Sequence, residues 1–492
     1  MRTASLASIV VVLAVESAGT HAKVNAAVVT TPAPAGEELS KDYDLAVGDK
    51  PVPVYTCRVS TIPFDQVWPG YQRPLNQTEQ AGFAYWDMSA PVNVVVRSKQ
   101  PVRSVMVRPI SLGTKPTVKG DRVMFEMSKP GSVVVEINGS HRALHLFANP
   151  LEKDVPPPNA AGVRFFGPGV HHPGIINMVT NQTIYIASGA VVYGSIQANN
   201  VSNIRIGGRG IIDVSQFDRT NSFGAIRLTE CSNAVISGIV LRDPNVWGCS
   251  LFGCRNAAIS NVKLIGLWRY NADGIDICNS QDVTIRDSFI RSFDDSIVLK
   301  GTGGAYGNRP VHNVKATGCV IWNDWGIALE IGAETSAPEI SDILFEDCDI
   351  IRATQVALGI SHGDRATVRD VRYKNIRIEL GDDNPRPRLQ ASPEDRYESK
   401  PGDDYLPLLL AVNINATPYS KDVELGNVRD VLLENVSVTG PRMPESFLRG
   451  FDAGHTVQGI TINNLRFNGK PIQDATAAHL AIGPHVSDVR FK

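Results

Sequence analysis

The sequence predicts an all-β chain, a right-handed parallel β-helix preceded by an antiparallel β-sandwich domain, and three observations carry that prediction. From about residue 180, a polar turn followed by a short alternating strand recurs every 23 to 31 residues, apart from one gap near 60. Self-similarity at such a period marks a repeat fold. Gly and Asn punctuate the units and no stretch has helical period, so each unit reads as one β coil. The Leu-x-x-Leu-x-Leu signature of the rival leucine-rich architecture is missing. Ahead of residue 155, strands such as Val92–Val96, Val123–Phe125 and Val133–Ile137 alternate between turns without any repeat, which is the pattern of a sandwich.

Taken in order, residues 1–22 read as a secretory signal. Arg2 precedes an apolar run from Leu6 to Val15, and a polar stretch ends at Ala22. Residues 23–40, rich in Ala, Thr and Pro, read as a disordered mature N-terminus. The sandwich occupies 41–155, and Val155-Pro156-Pro157-Pro158 is a stiff linker into a β-helix spanning 156–492. The long gap in the repeat, 381–406, is polar and Pro-rich. It is an insertion, either a cleft wall or a flexible excursion.

Bulk properties exclude several classes. A net charge of −2 argues against nucleic-acid binding, and no apolar run reaches the ~18 residues that span a bilayer. The seven cysteines do not form the disulfide framework of a small domain, are odd in number and lie mostly in apolar strand-like strings, so buried thiols are the simpler reading. Six sequons would accept glycans in a eukaryotic secreted protein. No CxxC or HExxH string suggests a metal, and no cofactor is expected.

Two strings carry the chemistry. Asn271-Ala272-Asp273-Gly274-Ile275-Asp276 lies 22 residues ahead of Phe293-Asp294-Asp295-Ser296-Ile297-Val298, with Asp273 over Asp295 and Ile275 over Ile297. The shared alternation predicts two stacked strands, each starting at a carboxylate, with Asp294 beside them. Crowding like charges is costly, so three acids in one place need a use. One use is glycosidic bond cleavage, which takes one protonated and one ionised carboxyl. Extending the overlay by one coil each way puts Trp247, Asp273, Asp295 and Trp325 in one column. The indoles are then either sugar platforms or core stacks. The same overlay pairs Lys300 with Glu330, with Asp276 on the same outward face. This is either a solvated charge ladder or a cation tuning the acids.

Asn-x-Asp-Gly-x-Asp followed 21 residues later by Asp-Asp resembles the catalytic signature of the glycoside hydrolase clan containing polygalacturonases (family 28) and dextranases with isopullulanase (family 49). The sandwich ahead of the helix is more like the family 49 arrangement. The resemblance implies that Asp294 is the general acid and that Asp273 and Asp295 together activate water. It also implies inversion at the anomeric centre, with the two roles separated by room for that water, and gives Asn271 a supporting role. Two elements of polygalacturonases are absent. Trp325–Gly332 stands in place of Gly-His-Gly, and Ala357–Asp364 in place of the Arg-x-Lys that holds a sugar carboxylate. His362 either substitutes in part, contacts a neutral sugar, or merely caps its strand. Arg269 and Lys300 are the nearby cations.

The expectation is therefore a secreted, inverting hydrolase of a polysaccharide or oligosaccharide, neutral rather than galacturonate. Its partner is the glycan substrate, with no nucleic acid and no membrane. The alternatives are a polygalacturonase-type pectin hydrolase and a non-catalytic glycan-binding β-helix. A pectate-lyase-like enzyme fits less well, because no basic residue stands among the three acids.

Overall fold

The computed structural model describes residues 28–65, 73–221, 223–381, 384–392, 394–398 and 404–492. The expected signal segment lies outside them.

The fold is the predicted one. Each coil of the β-helix contributes three short strands, which stack in register on those of the next coil. One coil holds Ile275–Cys278, Gln281–Arg286 and Phe289–Ser292; the next holds Ile297–Thr302, Val311–Thr317 and Val320–Asn323. Their registers are Ile275↔Ile297, Val283↔Val314 and Phe289↔Val320. Alternation does the sorting. Ile275, Ile277, Val283, Ile285 and Ile290 point into one continuous core, while Asp276 and Lys300 face out. Each such aliphatic side chain stabilises the fold by about 1.5–3 kcal/mol when fully buried.

The recurring polar turn has a specific cause. Asn203, Asn233, Asn256, Asp282, Asn313, Asp342, Asp370 and Asp430 all sit at φ between 52° and 57°. Asn and Asp enter this left-handed region at least cost among residues with a Cβ. On one side of the helix the amides chain together. Asn203 Nδ2 donates to Asn181 Oδ1 (3.0 Å), Asn233 to Asn203 (2.9 Å) and Asn256 to Asn233 (2.7 Å).

The N-terminal domain is a sandwich of a six-stranded and a five-stranded sheet around Trp86, Val94, Val123 and Leu146. Its pairings are antiparallel except that Leu144–Pro150 runs parallel to Gly82–Met88. A second apolar layer glues the sandwich to the third strand stack of the helix. Tyr55, Phe83 and Phe147 meet Val240, Phe289 and Trp322 there.

The described part of the segment expected to be disordered is docked instead. Val28–Val29 pairs with Asp87–Met88, and the Glu37 carboxylate accepts from Tyr193 Oη (2.6 Å) and pairs with Arg242 (2.9 Å). Composition gave no hint of this buried ion pair. The insertion is anchored too, because Arg388–Leu389 pairs with Phe64–Asp65 of the sandwich domain. All seven cysteines are buried and unpaired.

Candidate active site

The acids sit where the chain turns from the third strand stack of one coil into the first stack of the next. Gly274 follows Asp273 because a Cβ there would come within 2.3 Å of Ser296 O. The Asp294–Asp295 turn is clamped from three sides. Ser292 Oγ and Asn323 Nδ2 both donate to Asp294 O (2.7 Å each), and Gly326 N donates to Phe293 O (3.0 Å). Gly326 is also required sterically, since its Cβ would meet the Asp295 backbone nitrogen and Oδ1 at 2.7 Å. The rigid backbone therefore places the carboxyls before any substrate arrives.

Asp273 is fully buried. Its Oδ1 accepts from Asn271 Nδ2 (3.2 Å) and its Oδ2 from Lys300 Nζ (3.0 Å). Asn271 adopts φ 54° and is steadied by Arg219, whose Nη2 donates to Asn271 Oδ1 (2.9 Å). Asp295 Oδ1 accepts from the backbone N–H of Ile327 (2.9 Å), and Glu330 lies in hydrogen-bonding contact with Asp295 and Ser361. Lys300 Nζ also stands 3.6 Å from Asp276 Oδ1 and 4.0 Å from Glu334 Oε2, and 4.6 Å above the Trp247 ring. One ammonium thus serves three carboxylates.

Burial, with charge crowding behind it, pushes Asp273, Asp276, Asp294, Asp295 and Glu330 upward. Burial is the main cause for Asp294, followed by repulsion from Asp273 and Asp295. Asp273 and Asp295 are raised by burial as well, though Lys300 draws both back. Asp276 is pushed up to about 7 by burial, with Lys300 and a contact to Asp273 drawing it back. Asp294 makes no direct ion pair with Lys300, whereas Asp273 does. A shared proton therefore favours Asp294 and leaves Asp273 the more readily ionised group.

The structure brings together Asp273, Asp294, Asp295, Asn271, Lys300, Glu330 and Trp247. Three expected residues stand elsewhere. Trp325 stacks on Phe293 at 6.0 Å inside the core and is 8% exposed. The register here runs two residues later than the overlay assumed, with Ile297↔Leu329 rather than Ile297↔Ile327. Glu330 consequently shares a column with Val298 and Asp276, not with Lys300. Arg269 is committed to the fold, bonding Asp243 Oδ1 (3.0 Å) and the carbonyls of Phe217 (2.6 Å) and Ser215 (3.3 Å). His362 is buried, its Nδ1 faces Thr335 Oγ1 at 2.8 Å, and burial lowers it to about 4, so it stays neutral.

Sequence reasoning missed Arg219 and Glu334, and assigned Asp276 only to a ladder. Arg219 opens a short 3-10 turn, Arg219–Asn221, outside the strands, where alternation gives no address. The fields of Asp294 and Asp65 both reach Tyr270 and Tyr419, which flank the acids and were not anticipated either.

A family model described as glycosyl hydrolases family 28 matches residues 179–385, which include all three acids. Polygalacturonase QRT2 of Arabidopsis thaliana is 24% identical over 194 residues, 36% of this chain and 42% of that protein. Exopolygalacturonase clone GBGE184 of the same plant is 26% identical over 265 residues, 50% of this chain and 58% of that protein. The chain thus spans about half the length of these relatives. The solved structure of Dex49A from Penicillium minioluteum superposes with a TM-score of 0.66 at 15% identity, covering 94% of this chain and 96% of that one. That likeness extends through sandwich and helix alike and shows the fold. Family match and fold together carry the resemblance to the clan of polygalacturonases and dextranases.

Proposed function

We propose that this chain, a β-helix of the polygalacturonase and dextranase clan by family match and fold, is a secreted glycoside hydrolase that inverts the anomeric centre of a polysaccharide. The observation that carries the reading is the placement of Asp273, Asp294 and Asp295 on adjoining coils with unequal neighbours. Hydrolysis needs one proton donor and one base. Asp294, raised and without a direct cation, holds the proton and gives it to the leaving glycosidic oxygen. Asp273, bonded to Lys300, and Asp295, bonded to the Ile327 N–H, hold the attacking water as the base pair. Trp247 offers an indole face beside them.

The sugar at the cut is proposed to be neutral. Lys300 is already shared among Asp273, Asp276 and Glu334, Arg269 is committed to Asp243, and His362 is uncharged. A carboxylate on that sugar would enter a site crowded with acids where, among the described residues, these cations are already engaged and Arg219 is bonded to Asn271, a desolvation cost of several kcal/mol. The experiment is to offer polygalacturonate and a set of neutral polysaccharides at pH 5 and pH 7. The expected result is release of sugar from a neutral polymer. Rapid release of galacturonic acid would overturn the neutral assignment and leave the hydrolase reading in place.

A further inference from the structure

We infer that Cys231 with Cys254 and Cys319 with Cys348 are two disulfide sites, each closing between neighbouring coils, and that together they staple the helix before and after the acids. This rests on the secretion in the reading above, because disulfides persist in oxidising compartments and are rare where glutathione keeps thiols reduced.

The register puts each pair in one column. Ser232 pairs with Arg255, so Cys231 and Cys254, one residue earlier, stack at the turn into the second strand of their coils. Val320 pairs with Asp349, so Cys319 and Cys348 stack in the same way at the turn into the third strand. All four side chains are buried. In each pair the later thiol leans back onto its partner's coil. Cys254 Sγ donates to Leu228 O (3.5 Å) and Cys348 Sγ to Ala316 O (3.8 Å). The two thiols of each pair lie in hydrogen-bonding contact. Neighbouring coils are roughly 4.8 Å apart, within the Cα separation of about 4.4–6.8 Å that a disulfide spans.

The coil between the two pairs shows what a lone polar side chain does at these corners. Ser280 follows Cys254 in the first column, and Ser288 precedes Cys319 in the second. Ser280 Oγ donates to Cys278 O and Ser288 Oγ to Arg286 O (2.9 Å each). Cys254 and Cys348 take the same posture toward Phe252 O (3.6 Å) and Glu346 O (3.4 Å). A hydroxyl satisfies the corner by itself, whereas a thiol is a weak donor. In both columns the cysteines stand two together, on adjacent coils. The other three are not stacked. Cys57 lies where the sandwich meets the helix, Cys249 points into the core, and Cys278 alternates outward with Asp276 on the next coil.

Closure is by exchange with a small-molecule or protein disulfide of the secretory route, as the coils dock during folding and the carrier still reaches the corner. One thiolate of the pair attacks the carrier and displaces one of its sulfurs. The second thiol, losing its proton to solvent, then displaces the other. The carrier's S–S bond is exchanged for one in this chain, two thiols here are oxidised, and the carrier leaves as two thiols.

In the test the chain is exported behind a supplied leader into an oxidising compartment, unfolded in guanidinium with an alkylating reagent, and read by mass before and after reduction. Before reduction only Cys57, Cys249 and Cys278 should alkylate, and after it all seven cysteines. Non-reduced digests should contain the 231–254 and 319–348 cross-links. Cys231→Ser and Cys319→Ser, which copy Ser280 and Ser288, should each free one further thiol, that of Cys254 or Cys348. Reductant should lower the Tm of the wild type by several degrees and leave the double variant, already lower, unmoved, since a disulfide stabilises by constraining the unfolded chain. Seven alkylated cysteines in the exported wild type, cross-links between other partners, or one Tm for wild type and double variant would overturn the inference. Because the supplied leader imposes export, failure of the chain's own secretion is read separately, by locating the protein in its native host. Neither result touches the assignment of the acids.

Discussion

Two stacks on this helix repeat one residue type from coil to coil, with opposite consequences. In the turn column, Asn181, Asn203, Asn233 and Asn256 each present a donor and an acceptor, and every amide satisfies the next. In the cleft column, Asp273 sits over Asp295 with Asp294, Asp276 and Glu330 close by, and ionised carboxylates have only acceptors to offer one another. The first stack is self-complementary and tightens the solenoid. The second repels itself, is held by a single lysine, and drives every carboxyl in it upward. The β-helix supplies the same scaffold to both. Side-chain chemistry alone decides whether stacking stabilises the fold or stores the means to move a proton.

The contrast breaks most sharply at the acids. Asp294→Asn should lower hydrolysis by about 10²–10⁴-fold, the usual worth of a general acid, and Asp273→Asn and Asp295→Asn should fall as far. Asp294→Asn should leave Tm unchanged, since it exchanges a protonated carboxyl without a direct cation for an amide of the same shape; a loss of Tm matching the loss of activity would mean the acid is structural. Next in size is the pair of tryptophans. Trp325→Ala should cost about 3–5 kcal/mol in denaturant unfolding because the ring fills the core. Trp247→Ala should leave stability nearly unchanged and raise KM.

In the amide ladder, Asn233→Ala should cost about 2 kcal/mol. It loses two ladder bonds and holds at φ 53° an Ala, which lacks the short polar side chain that eases Asn into this region, with kcat unchanged. The smallest effect is in pH. Asp276 is raised to about 7 when folded, so the folded state binds more protons than the unfolded state between pH ~4 and ~7. Stability is then fully present below pH ~4 and is lost as pH rises through 7, by on the order of 1 kcal/mol or more for this group. Thermal unfolding should show a higher Tm at pH 5 than at pH 8, and Asp276→Asn should flatten that slope.

Much of this was legible in the sequence, because a β-helix writes its register as a period. The recurring Asn or Asp marks the left-handed turn, and the apolar alternation marks the buried face. Together these located Asp273 over Asp295. Legibility failed where the period changes. The step from Ile297 to Leu329 spans 32 residues against 22 for the previous coil, and nothing local in the sequence says which residue absorbs the difference. Trp325 and Glu330 were misplaced for that reason. Arg269 and His362 were misread because burial and partners across the chain, not local sequence, decide whether a charged or basic residue faces the cleft. The docking of Glu37 on Arg242, across 205 residues, left no local trace.

The central claim is that the clustered aspartates hydrolyse a glycosidic bond. It is tested most directly by incubating the wild-type protein and Asp294→Asn side by side with a panel of plant and microbial polysaccharides and reading the products by mass. The account predicts saturated oligosaccharides that have gained water from at least one polymer with the wild type, and none with Asp294→Asn. Unsaturated products, equal cleavage by Asp294→Asn, or no cleavage of any polymer by the wild type would contradict it.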